Sequence, residues 1–191
     1  KVNDPDAGVK EIVDTIRRDG GLVVRLLRIV NSAFYGMNRK VHTTKQAISL
    51  LGLQRIRAWV ALLAVANMDE KPSELLMTAM IRARMAELLA IETGVSSSER
   101  YFVGGILSML DAMMDRPMSE LVSELPLTQD MCEALLDRRG DMGKALHCVE
   151  AHERAVWSLV HFGGLSANQI QDCWLKSIDW AKQISVAVNR D

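Results

Sequence analysis

Apolar residues recur along this chain at the three- and four-residue intervals of an α-helix, and the strict alternation of a half-buried strand is nearly absent. Over 9–18, Val9, Ile12, Val13 and Ile16 share one helical face, and Gly20-Gly21 stops the run. A second helix is predicted over 22–33, with Leu22, Leu26, Ile29, Val30 and Ala33 inward and Arg25 and Arg28 outward, and Gly36 offers its stop. Thr43 and Gln46 have the spacing of a capping box, so a short helix should start there and end at Gly52. A longer one follows over 53–67. After a break at 69–72, a helix is predicted over 73–93, closed by Gly94.

The stretch 99–114 is apolar nearly all round, which predicts one buried central helix. Pro117 suits the first position of the next short helix. Thr128 is read as the N-cap of a helix to Arg138, Gly143 as the opening of one to Val160, and Ser166 as the N-cap of a last helix to Val188, which carries Trp174 and Trp180. The pattern therefore predicts an all-α domain of about nine to eleven helices, with a soft sub-boundary near 69–72.

Charge changes this picture. The formal net charge is −1, but it is unevenly spread. Residues 21–68 hold seven Lys and Arg (Arg25, Arg28, Arg39, Lys40, Lys45, Arg55 and Arg57) and no Asp or Glu. Residues 69–191 carry a net −7. A segment of one sign makes a field that can recruit an anionic partner or be neutralised by the rest of the chain. Arg39, Lys40, Arg55 and Arg57 are the candidate interaction residues. Nucleic acid is not the expected partner, because the overall pI is near 6.5.

Chemistry is harder to find. His42, His147, His152 and His161 form no HExxH and no His-Asp pair, so no metal and no cofactor is expected. Cys132, Cys148 and Cys173 are far apart with no CxxC, as expected of reduced thiols in a cytoplasmic protein. No GxSxG and no phosphate-binding glycine loop occurs, and Gly104-Gly105 reads as a close-packing site. Met109, Met113, Met114 and Met118 read as core filling. No apolar run reaches the roughly 20 residues of a membrane span. The chain opens on Lys1 rather than Met, so a longer parent protein is expected.

Two segments carry a family resemblance: "LLRIVNSAFYG" and "TTKQAISLLGLQRIRAWVALLA". With the later stretches "YFVGGILSMLDAMMDRPMSELVSELPLTQDMCEALL" and "AHERAVW", the sequence over 1–185 resembles the HDOD domain. It is similar to the form found at the C-terminus of bacterial EAL–HDOD signalling proteins. The matching signature positions are Asn31, Ser32, Gly36, Gln46 and Gly52. The resemblance implies an all-α fold related to the HD phosphohydrolases but generally without their metal ligands. Where those enzymes carry a His-Asp pair, Ser108 and Met109 stand here, and 73–93 has no His.

The resemblance thus implies a non-catalytic regulatory and interaction module linked to cyclic di-GMP, with no catalytic residue. Its partners would be other signalling proteins or an EAL domain of its own parent chain, absent from this sequence; a homodimer stays open. The competing readings are a degenerate phosphohydrolase using Asp111, Asp115 and a distant His, and direct binding of cyclic di-GMP or nucleic acid by the basic segment.

Overall fold

The computed structural model describes residues 20–33, 40–66 and 73–188. The predicted helix over 9–18, the loop residues Phe34, Tyr35 and Gly36, and the break at 69–72 lie outside the described residues. Those described form ten α-helices: α1 (Gly20–Ala33), α2 (Thr44–Leu51), α3 (Leu53–Ala66), α4 (Ser73–Glu92), α5 (Ser98–Leu107), α6 (Leu110–Met114), α7 (Met118–Glu124), α8 (Gln129–Asp137), α9 (Gly140–Glu153) and α10 (Ala167–Val188). A single 3-10 turn, Trp157–Leu159, lies between the last two. Only eight of the ten reach eight residues, fewer than the nine to eleven predicted. Among the described residues there is no strand, so the fold is all-α as expected.

The chain forms two compact units. One comprises Lys1–Asp69 with Lys182–Asp191, and the other Glu70–Ala181. In the first, α1, α2 and α3 pack on one another. Leu22, Leu26, Ile29 and Val30 are buried on the predicted face of α1, against an apolar set that includes Ile48, Ile56 and Trp59. Arg25 and Arg28 are half-buried rather than fully outward.

In the second unit α4 and α5 are the most closely joined pair among the described residues. Glycine explains how near they come. A Cβ on Gly105 would stand 2.4 Å from Ala83 Cα, so only a hydrogen there lets the two backbones meet. Gly104 and Gly105 are therefore packing glycines, as read from their apolar setting. Helix α10 docks through its tryptophans. Trp180 meets Phe102 edge-on at 5.9 Å and lies under the Arg84 guanidinium at 5.8 Å, while Trp174 packs on His152 at 4.6 Å.

Three boundaries differ from expectation. The helix predicted over 99–114 is broken at Ser108 and Met109 into α5 and α6. Pro117 caps α7 instead of opening it. Helix α9 starts at Gly140 and stops at Glu153, so Gly143 lies inside it and Val160 beyond it. Of the four clustered methionines, Met109 and Met113 are buried and Met114 is exposed, so core filling describes only part of the cluster.

Candidate functional site

Among the described signature residues, Asn31, Ser32, Gln46 and Gly52 all act on the backbone. Asn31 donates through Nδ2 to the carbonyls of Leu27 and Val41, both at 2.8 Å, and its Oδ1 accepts from the Val41 N–H at 2.7 Å. One amide thus ties the end of α1 to the chain entering α2. Gln46 Oε1 accepts from the N–H groups of His42 and Thr43, and Thr43 Oγ1 accepts from the Gln46 N–H, completing the predicted capping box. Gly52 ends α2 at φ +78°, a conformation that favours glycine. The Ser32 hydroxyl donates to the Gln183 carbonyl at 3.5 Å.

Of the candidate interaction residues, Lys40, Arg55 and Arg57 are described. Lys40 is exposed, and Arg39 lies outside the described residues. Arg55 and Arg57 are half-buried, and two positions along a helix separate them by about 200°. They leave α3 on nearly opposite sides of the buried Ile56.

The second unit assembles a cluster that the sequence pattern does not announce. Arg82 projects from α4, a helix otherwise rich in Ala, Leu and Met, with its side chain 13% exposed. Its Nε lies 3.0 Å from both carboxylate oxygens of Glu153, and its Nη2 lies 2.9 Å from Oε2. Its Nη1 reaches the Ser108 hydroxyl at 3.3 Å, the Ser108 carbonyl at 3.4 Å and Glu150 Oε1 at 3.4 Å. Ser108 in turn donates its hydroxyl to the Gly105 carbonyl at 2.8 Å.

Arg138 approaches Glu150 from the other side, with Nη2 at 2.6 Å and Nε at 3.1 Å from its two oxygens. The remaining Arg138 nitrogen donates to the carbonyls of Ala134 and Leu135. Glycine again sets the geometry. A Cβ on Gly143 would lie 2.2 Å from the Arg138 carbonyl carbon, so α9 can pass beneath the left-handed end of α8 only there.

Two guanidinium groups and two carboxylates therefore balance in a largely dry setting. Burial pushes the Glu153 carboxyl above its ordinary value, opposed by the Arg82 hydrogen bonds and charge. The arrangement is a set of fixed, mutually satisfied ion pairs. Met109, beside Ser108, is buried.

The competing residues are not gathered around the cluster as a ligand set. Asp111 and Asp115 are exposed, as are His42, His147 and His161, while His152 is buried between Trp157 and Trp174. Among the described residues no three His, Cys, Asp or Glu are placed to hold a metal ion. The four charged members of the cluster were not singled out from the sequence as site residues. The available signal was an arginine on a helix otherwise apolar enough to be buried, since a buried charge demands partners.

The model of the HDOD domain matches residues 1–138, and the chain belongs to that family. It is 29% identical to YuxH of Bacillus subtilis (strain 168) over 182 residues, covering 92% of this chain and 44% of the relative. It is 32% identical over 160 residues to a Vibrio cholerae protein named cyclic di-GMP phosphodiesterase CdgJ, covering 82% of this chain and 37% of that one. The chain thus spans less than half the length of these relatives. No solved structure matches.

Proposed function

We propose that this HDOD domain is a non-catalytic regulatory module that binds protein partners within cyclic di-GMP signalling. The observation that carries the reading is the Arg82 guanidinium, seated among Ser108, Glu150 and Glu153. By the resemblance to HD enzymes, Ser108 and Met109 stand where a metal-binding His-Asp pair would be. A guanidinium there supplies a permanent positive charge to the nearby carboxylates. It offers no open coordination position and cannot activate a water as a metal does. The link to cyclic di-GMP is supported by the name of the Vibrio cholerae relative, a protein of which the match covers 37%.

The partners in this reading are other cytoplasmic signalling proteins, an EAL domain in the same longer chain, or a second copy. Of the basic candidates, Arg39, Lys40 and Arg57 are the proposed contacts, since Arg55 leaves α3 on the other side. Among the described residues, no helix is long and apolar enough to cross a membrane.

Hydrolysis of cyclic di-GMP and of bis(4-nitrophenyl) phosphate, each with Mn²⁺ added, tests the non-catalytic part. The expected rate equals that of a protein-free control. Turnover that disappears in the Glu150→Gln/Glu153→Gln variant would overturn the reading and favour a degenerate phosphohydrolase. The interaction part is tested by capture from native lysate with the wild type beside Lys40→Glu/Arg57→Glu. Loss of a captured signalling protein is expected, and unchanged capture would remove the basic residues from the interface.

A further inference from the structure

A cleft of about 530 Å³ opens in the second unit, where the end of α8, the outer face of α9 and the loop before α10 come together. That volume lies within the roughly 300–1,000 Å³ range of small-molecule sites. Phe162, itself buried, gives the cleft an apolar wall. The polar groups are mostly donors. Lys144 and His147 are three positions apart on α9 and so share a face, and His161 joins them from the loop.

Neither imidazole has a hydrogen-bond partner among the described residues. Lys144 is held by Asp141 at 2.9 Å, but both side chains are more than two-thirds exposed, at 69% and 75%. Such a pair exchanges readily for a better anion. The one carboxylate lining the cleft is Asp137, which faces Arg139 at 3.7 Å. A metal ion is not the fitting occupant, since these two histidines and one aspartate are not placed as a ligand set.

We propose that the cleft binds a small phosphate-bearing molecule of mononucleotide size, with Lys144, His147 and His161 holding the phosphate and Phe162 bounding the apolar part. Charge-assisted hydrogen bonds from several converging donors are what a phosphate needs. The cleft's lining residues all belong to the second unit and none to the basic segment over 21–68, and the proposal does not depend on the domain being non-catalytic. The cleft shares Arg138 with the buried network, where four of the five guanidinium N–H groups go to Glu150 and to two carbonyls. The phosphate therefore falls mainly to the three exposed donors.

The test is an NMR titration of the whole chain with adenosine 5′-monophosphate, adenosine and inorganic phosphate, following the imidazole C–H resonances of His147 and His161. Saturable binding of the monophosphate is expected, with both resonances moving and adenosine at least about tenfold weaker. Lys144→Ala, His147→Ala and His161→Ala should each weaken it by a similar factor, because these exposed side chains can be removed without disturbing the core. Lys176→Ala, at an exposed position of α10 that does not line the cleft, should change nothing. Three outcomes would overturn the proposal: adenosine binding as tightly as its monophosphate, affinity indifferent to the three substitutions, or no saturation by about 10 mM of the monophosphate or inorganic phosphate.

Discussion

Arg82 brings a full charge into a helix whose other inward residues are mostly Ala, Leu and Met, with the buried Glu87 paired to Arg84, and it is stable there only because four acceptors surround it. Replacing it removes the partner of Glu153 and one of the two partners of Glu150. Arg82→Met should therefore cost about 3–5 kcal/mol, because a buried carboxylate is left uncompensated. Urea unfolding measures it. Adding Glu153→Gln to that variant should recover part of the loss, so the cycle is strongly non-additive; simple additivity would mean that the two groups do not depend on each other.

The same carboxyl has a pH signature. Its folded value is raised, chiefly by burial, so the folded chain holds this proton more tightly than the unfolded chain. Its contribution to stability is then largest below the ordinary carboxyl range and is lost as pH rises through the raised value. As pH rises from the ordinary carboxyl range through the raised value, the advantage of wild type over Glu153→Gln should shrink. Parallel stability curves for the two proteins would contradict this.

Helix ends show why some elements are legible in sequence and others are not. Two helices of the second unit stop in the same way. At the end of α4, the Val95 N–H reaches back to the Ala90 carbonyl and the Gly94 N–H to that of Ile91, with Gly94 at φ +75°. At the end of α9, the Val156 N–H reaches the Ala151 carbonyl and the Ala155 N–H that of His152, with Ala155 at φ +55°. Both are Schellman closures. The first carries glycine and is visible in the sequence. The second carries alanine, so the helical pattern reads straight on toward Val160.

The break at Ser108 is hidden for a different reason. Its carbonyl and hydroxyl are taken by Arg82, a residue 26 positions away, and no local signal carries that. By contrast, the Thr43–Gln46 box and the Gly52 stop are local chemistry, and they lie where the spacing puts them. Gly143 misled because a packing glycine and a turn glycine look alike in sequence. Ala155→Gly should relieve the left-handed strain and stabilise the protein by about 0.5–1 kcal/mol, read as a raised denaturation midpoint. A loss of stability would mean that the Ala155 methyl makes contacts worth more than the backbone strain.

On the scale of the whole molecule, the cysteines offer a probe of how the second unit opens, since all three belong to it. Cys132 is half-exposed, whereas Cys148 on α9 and Cys173 on α10 are buried. Burial pushes the Cys148 thiol up to about 11 and raises that of Cys173 as well. A thiol reagent attacks the thiolate, so in the native protein Cys132 should react first and the other two only through opening.

Helices α9 and α10 meet where Trp174 packs on His152, and Cys173 raises the cost of ionising Cys148 only weakly beside burial itself. What shields them is therefore the seating of α10, which is held at a second point by Trp180 against Phe102 and Arg84. Undocking that helix should expose both thiols together. The expected result is one fast label followed by two that appear at a common slow rate, which rises in step with the loss of stability in Arg82→Met. If Cys173 labels well ahead of Cys148, α10 detaches in part while α9 stays covered, and the second unit does not open as one cooperative body.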